Sequence, residues 1–345
     1  MENTHYILAN VWLGIIAFFL LFYAITDGAD LGLGMITLFT PDDNDRKMLL
    51  GSIVSTWHTN QTWLVILGGM VFGAYPIFYG LVFSALYIPV MAMLFAMIIR
   101  GVALDYADYS SRRRPWTSAF GVGSLFVAIT QGFALGGLLG GIHVEQEKFV
   151  GGMWDWFTPF TILVTIGVIV GYMMLGANFL ILKAEGTLQQ RGYRYSLVTS
   201  LIVGPLSVAV YWWMILKYPF MIQKFTTAPD AYWVIPGPAL AAASYVLILF
   251  SIRKRYEILP MFLNAALILF SFAGVSAAIY PHLIPNAIAQ PVQILQAAAS
   301  NSTLIFMTAV TAVILPIILV YNGYNQFWVF RGKIKRYYSE EESPE

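Results

Sequence analysis

The sequence predicts an all-α polytopic membrane protein with nine transmembrane helices, and three observations carry that prediction. Of 345 residues, 59% are hydrophobic and only 11% charged, with a mean hydropathy of +0.70, a balance far from that of a soluble globular chain. A bilayer core takes about 20 mostly apolar residues to cross, and nine stretches qualify: residues 6–26, 50–72, 75–99, 118–140, 157–182, 196–216, 231–252, 259–280 and 303–330. Placing the intervening loops alternately on two sides puts all 19 Lys and Arg residues on one side except Lys148, Lys217 and Lys224. Because basic residues collect in cytoplasmic loops, the amino terminus is expected outside and the carboxyl terminus inside. The chain reads as a single membrane domain over residues 1–336, followed by an acidic, disordered tail over residues 337–345.

The first span follows no Lys or Arg and lacks the pattern of a cleaved signal peptide, so it is read as a retained helix. At its end stands Thr26-Asp27-Gly28-Ala29-Asp30-Leu31-Gly32-Leu33-Gly34. Asp27 and Asp30, three apart, share a helix face, and Gly28 and Gly32 form a small-xxx-small pair expected to admit a neighbouring backbone at a subunit interface. The second span is the weakest, because it holds the polar and aromatic island Thr56-Trp57-His58-Thr59-Asn60-Gln61-Thr62-Trp63-Leu64. Dropping this span would reverse the side of every later basic loop, so the island is expected to cross the membrane. Helical residues lie about 100° apart, which gathers Trp57, His58, Asn60 and Gln61 within roughly half the circumference as one stripe facing protein or water.

Arg100 and Asp105 close the third span at the cytoplasmic side. In the later spans, Pro205 and Pro316 mark kinks, while Pro281 and Pro285 lie in an uncharged outer loop. Trp154, Trp156, Trp212, Trp213, Trp233 and Trp328 read as anchors at the membrane interface. Met91, Met93 and Met97 read as packing.

Ionisable groups at membrane depth are costly and point to function. His58 is the one histidine of four within a predicted span. Its imidazole exchanges protons near neutral pH, so a proton relay and a hydrogen-bonded structural role both stand, with haem ligation ranked third. Asp27 and Asp30 divide between a hydrated helix end and an entry antenna for protons. With Asp105, these residues are the candidates for a proton pathway. Asn60, Gln61 and Thr62 read as interhelical hydrogen-bonding groups.

Several classes are excluded. A net charge of +1 without a basic, aromatic-interleaved soluble segment gives no expectation of nucleic acid. Zero cysteines exclude disulfides, iron–sulfur clusters and thiolate metal sites. The phosphate-loop, H-E-x-x-H and dinucleotide signatures are absent. One intramembrane histidine is too few for a haem–copper core, so no cofactor is expected on this chain alone. A proton-coupled secondary transporter is the competing class, but transporters show paired repeats with broken helices, and the island has no counterpart elsewhere in the chain.

Taken together, the motifs resemble subunit II of the cytochrome bd-type quinol oxidases. The resemblance rests on Thr26-Asp27-Gly28-x-Asp30-x-Gly32-x-Gly34, on Trp57-x-x-Asn60-Gln61-x-Trp63-Leu64, and on Arg100 with Asp105-Tyr106. Thr158-Pro159-Phe160, Gly176-Ala177-Asn178, Glu185-Gly186 and Tyr280-Pro281 extend it along nearly the whole chain. It implies two four-helix bundles plus one peripheral helix, beside a similar partner, subunit I, which carries two b-type haems, haem d and the quinol site. The implied complex, in a bacterial or archaeal cytoplasmic membrane, oxidises quinol and reduces dioxygen to water with protons drawn from the cytoplasm. This chain would stabilise that partner without being a catalyst alone, and in some members subunit II holds a quinone, helps supply protons or works beside a small single-helix subunit. One departure stands out: several relatives have an aspartate after the island's first tryptophan, where this chain has His58.

Overall fold

Long apolar runs that lack internal turn chemistry satisfy their backbone hydrogen bonds within one segment, the condition a bilayer imposes. A computed structural model describes residues 2–54, 56–107, 109–110, 113–285, 291–324 and 332–333. In chain order its helices are α1 (Glu2–Thr37), α2 (Asp43–Gly51), α3 (Trp57–Ala74), α4 (Pro76–Ala85), α5 (Tyr87–Ala107), α6 (Arg113–Gly140) and α7 (Pro159–Lys183). There follow α8 (Gly186–Lys217), α9 (Pro219–Thr226), α10 (Asp230–Val234), α11 (Pro236–Arg253), α12 (Leu259–Ile279), α13 (Ile294–Ala297) and α14 (Asn301–Tyr324). Two short antiparallel hairpins, β1 (Val144–Glu145) with β2 (Lys148–Phe149) and β3 (His282–Ile284) with β4 (Val292–Gln293), lie in the connections.

Among the described residues, eight helical stretches are long and apolar enough to cross a membrane: α1, α5, α6, α7, α8, α10 with α11, α12 and α14. The island keeps α3 out of that set by lowering its hydropathy, although its 18 residues reach roughly 27 Å at the helical rise. α1, α3, α5 and α6 form one group and α7, α8, α11 and α12 a second, with α7 packed against both α1 and α6. α14 lies outside the groups against α1 and α3.

Local chemistry fixes several helix ends. Thr158 accepts a hydrogen bond from the Thr161 amide at 3.2 Å, and Pro159 takes the first helical position of α7, both ordinary starting signals. Gly186 opens α8 at φ +61°, a conformation that favours glycine. The Lys217 ammonium donates to the carbonyl of Gly140, the last residue of α6, and the Lys224 ammonium donates to the carbonyl of Tyr280, just past α12. These two lysines are therefore explained as cations on helix C-terminal dipoles, which is why they stand on the side poor in basic residues. Beside Lys224 lies His282, half-buried, with its imidazole held below the usual range first by burial and then by that cation.

Four sequence expectations are corrected here. α1 does not end near residue 26 but runs to Thr37, because Leu31, Leu33, Met35 and Ile36 continue the apolar run and are fully buried. The island does not lie in the middle of a helix: residues 50 and 51 belong to α2, and Trp57 starts α3. The third stretch is broken at Leu86, so that α4 precedes a spanning α5 at 87–107. Trp156 is buried and donates to the Met153 carbonyl at 2.9 Å, so it packs the connection between α6 and α7 rather than anchoring the membrane surface. Trp328 and the 337–345 tail lie outside the described residues.

Candidate functional site

Tyr23, Asp27 and Asp30 fall at i, i+4 and i+7 on α1, a spacing that places them on one helix face. All three are buried, with Asp27 at 0% exposure. Because α1 extends past both carboxylates, each must be answered by protein rather than by water. Arg100 of α5 answers the first: its Nη1 donates to Asp27 Oδ1 at 2.7 Å, with both side chains fully buried. Its guanidinium carbon also sits 5.2 Å from the centre of the Phe120 ring of α6. Asn60 of α3 answers the second, its Nδ2 donating to Asp30 Oδ2 at 2.7 Å.

The network continues away from the ion pair. Tyr172 of α7 donates to Gln131 Oε1 of α6 at 2.7 Å, and Gln131 Nε2 donates to the Tyr23 hydroxyl oxygen at 2.5 Å. Five helices thus supply one buried polar assembly. Around it, Asp27 Oδ2, Arg100 Nε and Nη2, Ser124 Oγ, Gln61 Nε2 and Trp63 Nε1 are buried without a hydrogen-bond partner among the described residues. Buried polar atoms are paired in the great majority of cases, and ordered water commonly supplies the partner.

The tryptophans of the island are packing elements. Trp63 lies between Phe19 and Phe22 of α1, with ring centroids 5.5 and 4.6 Å away, and Trp57 packs against Gly101 of α5. The glycines of α1 serve the interior of the chain. A Cβ on Gly32 would stand 1.9 Å from the Tyr172 carbonyl oxygen, and one on Gly28 would stand 2.7 Å from the Tyr172 ring. That corrects the expectation of a subunit interface at Gly28 and Gly32: α7 of the same chain already occupies this face.

Two predicted site residues, Arg100 and His58, are placed differently from expectation, and Asp105 stands at the helix end where it was expected. Arg100 is not at a loop boundary but at the centre of the buried pair, so it contributes nothing to the side count of basic residues. His58 does not share a face with the aspartates; it is exposed and stacks on Trp57 at 3.7 Å between ring centroids. The wheel explains this, because the buried arc of α3 runs from Trp63 through Asn60 to Trp57, and His58 lies about 160° from Asn60. Asp105 is exposed near the end of α5, and no ion pair of its carboxylate appears among the described residues.

Tyr23, Gln131 and Tyr172 were not singled out in the sequence. Gln131 carried a usable signal as the only amide side chain in the apolar α6. The tyrosines carried none, since tyrosine is common where spans meet the interface.

The site can be set beside known proteins. The family model for cytochrome bd terminal oxidase subunit II matches residues 8–330. The chain belongs to that family. It is 26% identical to the cytochrome bd-I ubiquinol oxidase subunit 2 of Escherichia coli strain K12, over 96% of each chain. It is 23% identical to the cytochrome bd ubiquinol oxidase subunit 2 of Bacillus subtilis, over 95% of this chain and 97% of the relative. A solved bd oxidase from Geobacillus thermodenitrificans matches with a TM-score of 0.69 at 17% identity, covering 94% of this chain and 99% of that one, and supports the fold. This subunit II is thus a multi-pass membrane subunit of a respiratory oxidase.

Among the described residues, no three His, Cys, Asp or Glu side chains group as they would around a metal ion, and His58 is exposed on α3.

Proposed function

We propose that the chain is subunit II of a quinol:dioxygen oxidoreductase in a bacterial or archaeal cytoplasmic membrane, stabilising a haem-bearing subunit I and helping to carry protons to its oxygen site. The reaction belongs to the complex: quinol is oxidised and dioxygen becomes water. The two b-type haems and haem d, in subunit I, supply the electron transfer and oxygen reduction. A quinone and a small single-helix subunit are further partners that family membership brings to the proposal. The charge asymmetry of the loops supports an amino terminus outside and a carboxyl terminus in the cytoplasm.

One observation carries the proton role, namely two carboxylates fully buried in a membrane helix with different partners. Asp27 faces a guanidinium at 2.7 Å, whereas Asp30 accepts from a neutral amide at 2.7 Å. A carboxylate locked to Arg100 is the structural counter-ion of the site. A carboxyl beside an amide donor keeps its hydrogen bond in either protonation state, since the protonated acid still has an oxygen that accepts from the amide N–H. Asp30 is therefore the group able to take and release a proton, and water bridging the unpartnered atoms around Arg100 would connect it to its surroundings.

His58 fits the same proposal from the outside. Together with Thr62, one turn on and also exposed, it gives α3 a polar outer strip at membrane depth. Polar groups there face protein rather than lipid, so this strip is the surface subunit I would cover. Asp105, exposed at the cytoplasmic end of α5, would serve as an entry for protons.

The test uses the tagged complex. Co-purified haem b and haem d bands are expected in the reduced-minus-oxidised spectrum. Asp30→Asn should keep those bands and lower quinol-driven oxygen uptake. A complex without haem d would remove the haem content proposed for subunit I, and full activity in Asp30→Asn would remove the proton role.

A further inference from the structure

Resting on that reading, we infer that Gln131 and Tyr172 are positioning residues, which act through Tyr23 to hold the Asp27 carboxylate in place against Arg100. The directions of the hydrogen bonds carry the inference. The Tyr172 hydroxyl donates to Gln131 Oε1 at 2.7 Å, and the Gln131 amide donates to the Tyr23 oxygen at 2.5 Å. The Tyr23 oxygen is thereby used as an acceptor, which leaves its own O–H to donate. One turn further along the same face stands Asp27. Its Oδ1 is taken by Arg100, and its Oδ2 is buried with no hydrogen-bond partner among the described residues. The Tyr23 O–H is the free donor presented to that oxygen, directly or through one water. All donors in the series then point the same way, from α7 through α6 to the carboxylate on α1.

Packing restricts the chain to this arrangement. The Tyr172 ring lies over Gly28, where a Cβ would meet it at 2.7 Å, so Gly28 makes room for the ring whose hydroxyl begins the series. Gln131 has both ends of its amide committed, and an amide oriented at both ends cannot rotate without breaking two buried hydrogen bonds.

The test compares two replacements at position 131 in the assembled complex. Gln131→Met keeps the volume but neither hydrogen bond. Gln131→Glu, when protonated, can still accept from Tyr172 and donate to Tyr23. Proton uptake coupled to oxygen reduction is expected to slow about tenfold in Gln131→Met, the factor that corresponds to the upper end for one neutral hydrogen bond. KM for quinol and haem content should stay unchanged, and Gln131→Glu should recover most of the rate. Equal rates in the Met variant and the parent, or equal loss in the Met and Glu variants, would overturn the inference, because a packing role depends on volume alone. Should Gln131→Met fail to assemble, Tyr172→Phe decides: it keeps the ring over Gly28 and deletes only the first donor, and an unchanged rate there counts against the positioning role. If Asp30→Asn slows proton uptake and these variants do not, the positioning role alone fails; if Asp30→Asn has no effect either, the proton reading fails with it.

Discussion

Replacing Arg100 by methionine should be the most damaging single change in the first helix group. Asp27 and Arg100 are each 0% exposed and 2.7 Å apart, so removal of the guanidinium leaves a carboxylate buried without its cation. Breaking a buried pair by deleting one partner costs about 3–5 kcal/mol, which is roughly a hundredfold to a several-thousandfold shift in the folded population. The companion double variant, Asp27→Leu with Arg100→Met, removes both charges and restores apolar contact. Buried pairs replaced in this way are often neutral or better, so the double variant should recover most of the loss despite losing both hydrogen-bonding groups. The assay is a denaturing-detergent titration of the purified complex, followed by helicity and by haem absorbance. If Arg100→Met unfolds at the parent midpoint, or the double variant is no more stable than the single one, the pair does not hold the group together.

Other outcomes follow from the same geometry. Gly32→Ala sets a methyl 1.9 Å from the Tyr172 carbonyl oxygen, so α1 and α7 must part; a loss of about 1–3 kcal/mol should appear in the same titration, and an unchanged midpoint would contradict the close crossing. Lys217→Met removes a cation from the carboxyl end of α6 and should cost about 1 kcal/mol, measured as a lower midpoint that high salt narrows. His282 is held below its ordinary range by burial and then by Lys224, so it folds neutral while the unfolded chain takes up the proton first. Its contribution is full above about pH 6.5 and is lost as pH falls below that value. His282→Gln should flatten this acid limb, and an identical limb in the variant would assign the protons elsewhere.

Much of the fold was legible because bilayer crossing leaves a strong signature in hydropathy and loop charge. The boundaries that were misread share a physical cause. Asp27 and Asp30 look like the end of a span when charge is scored one residue at a time, yet Arg100 and Asn60, far away in sequence, neutralise or bond them and let α1 continue to Thr37. Arg100 was misplaced for the same reason, since a buried cation and a loop cation are identical in sequence. The polar stripe of the island was drawn over too wide an arc. Trp57, Asn60 and Trp63 face the group, while His58 lies at the far edge of the arc and faces out. Gly28 and Gly32 were rightly read as points of close approach, but sequence cannot say which backbone approaches, and that backbone is α7. The hydrogen-bond series through Gln131 and Tyr172 depends on tertiary contacts between α1, α6 and α7, and only Gln131 stood out from its helix.

The most direct test of the central claim, that Asp30 carries protons while the neighbouring pair holds the site, is single-turnover proton uptake by the reduced complex on mixing with oxygen, read by a pH indicator in weakly buffered solution. Asp30→Asn retains a hydrogen-bonding amide opposite Asn60, so haem content and the first spectral step of oxygen binding should match the parent. Proton uptake should lag behind the parent by about tenfold or more. Uptake at the parent rate, with haem content equal, would contradict the account and leave Asp30 a structural partner of Asn60.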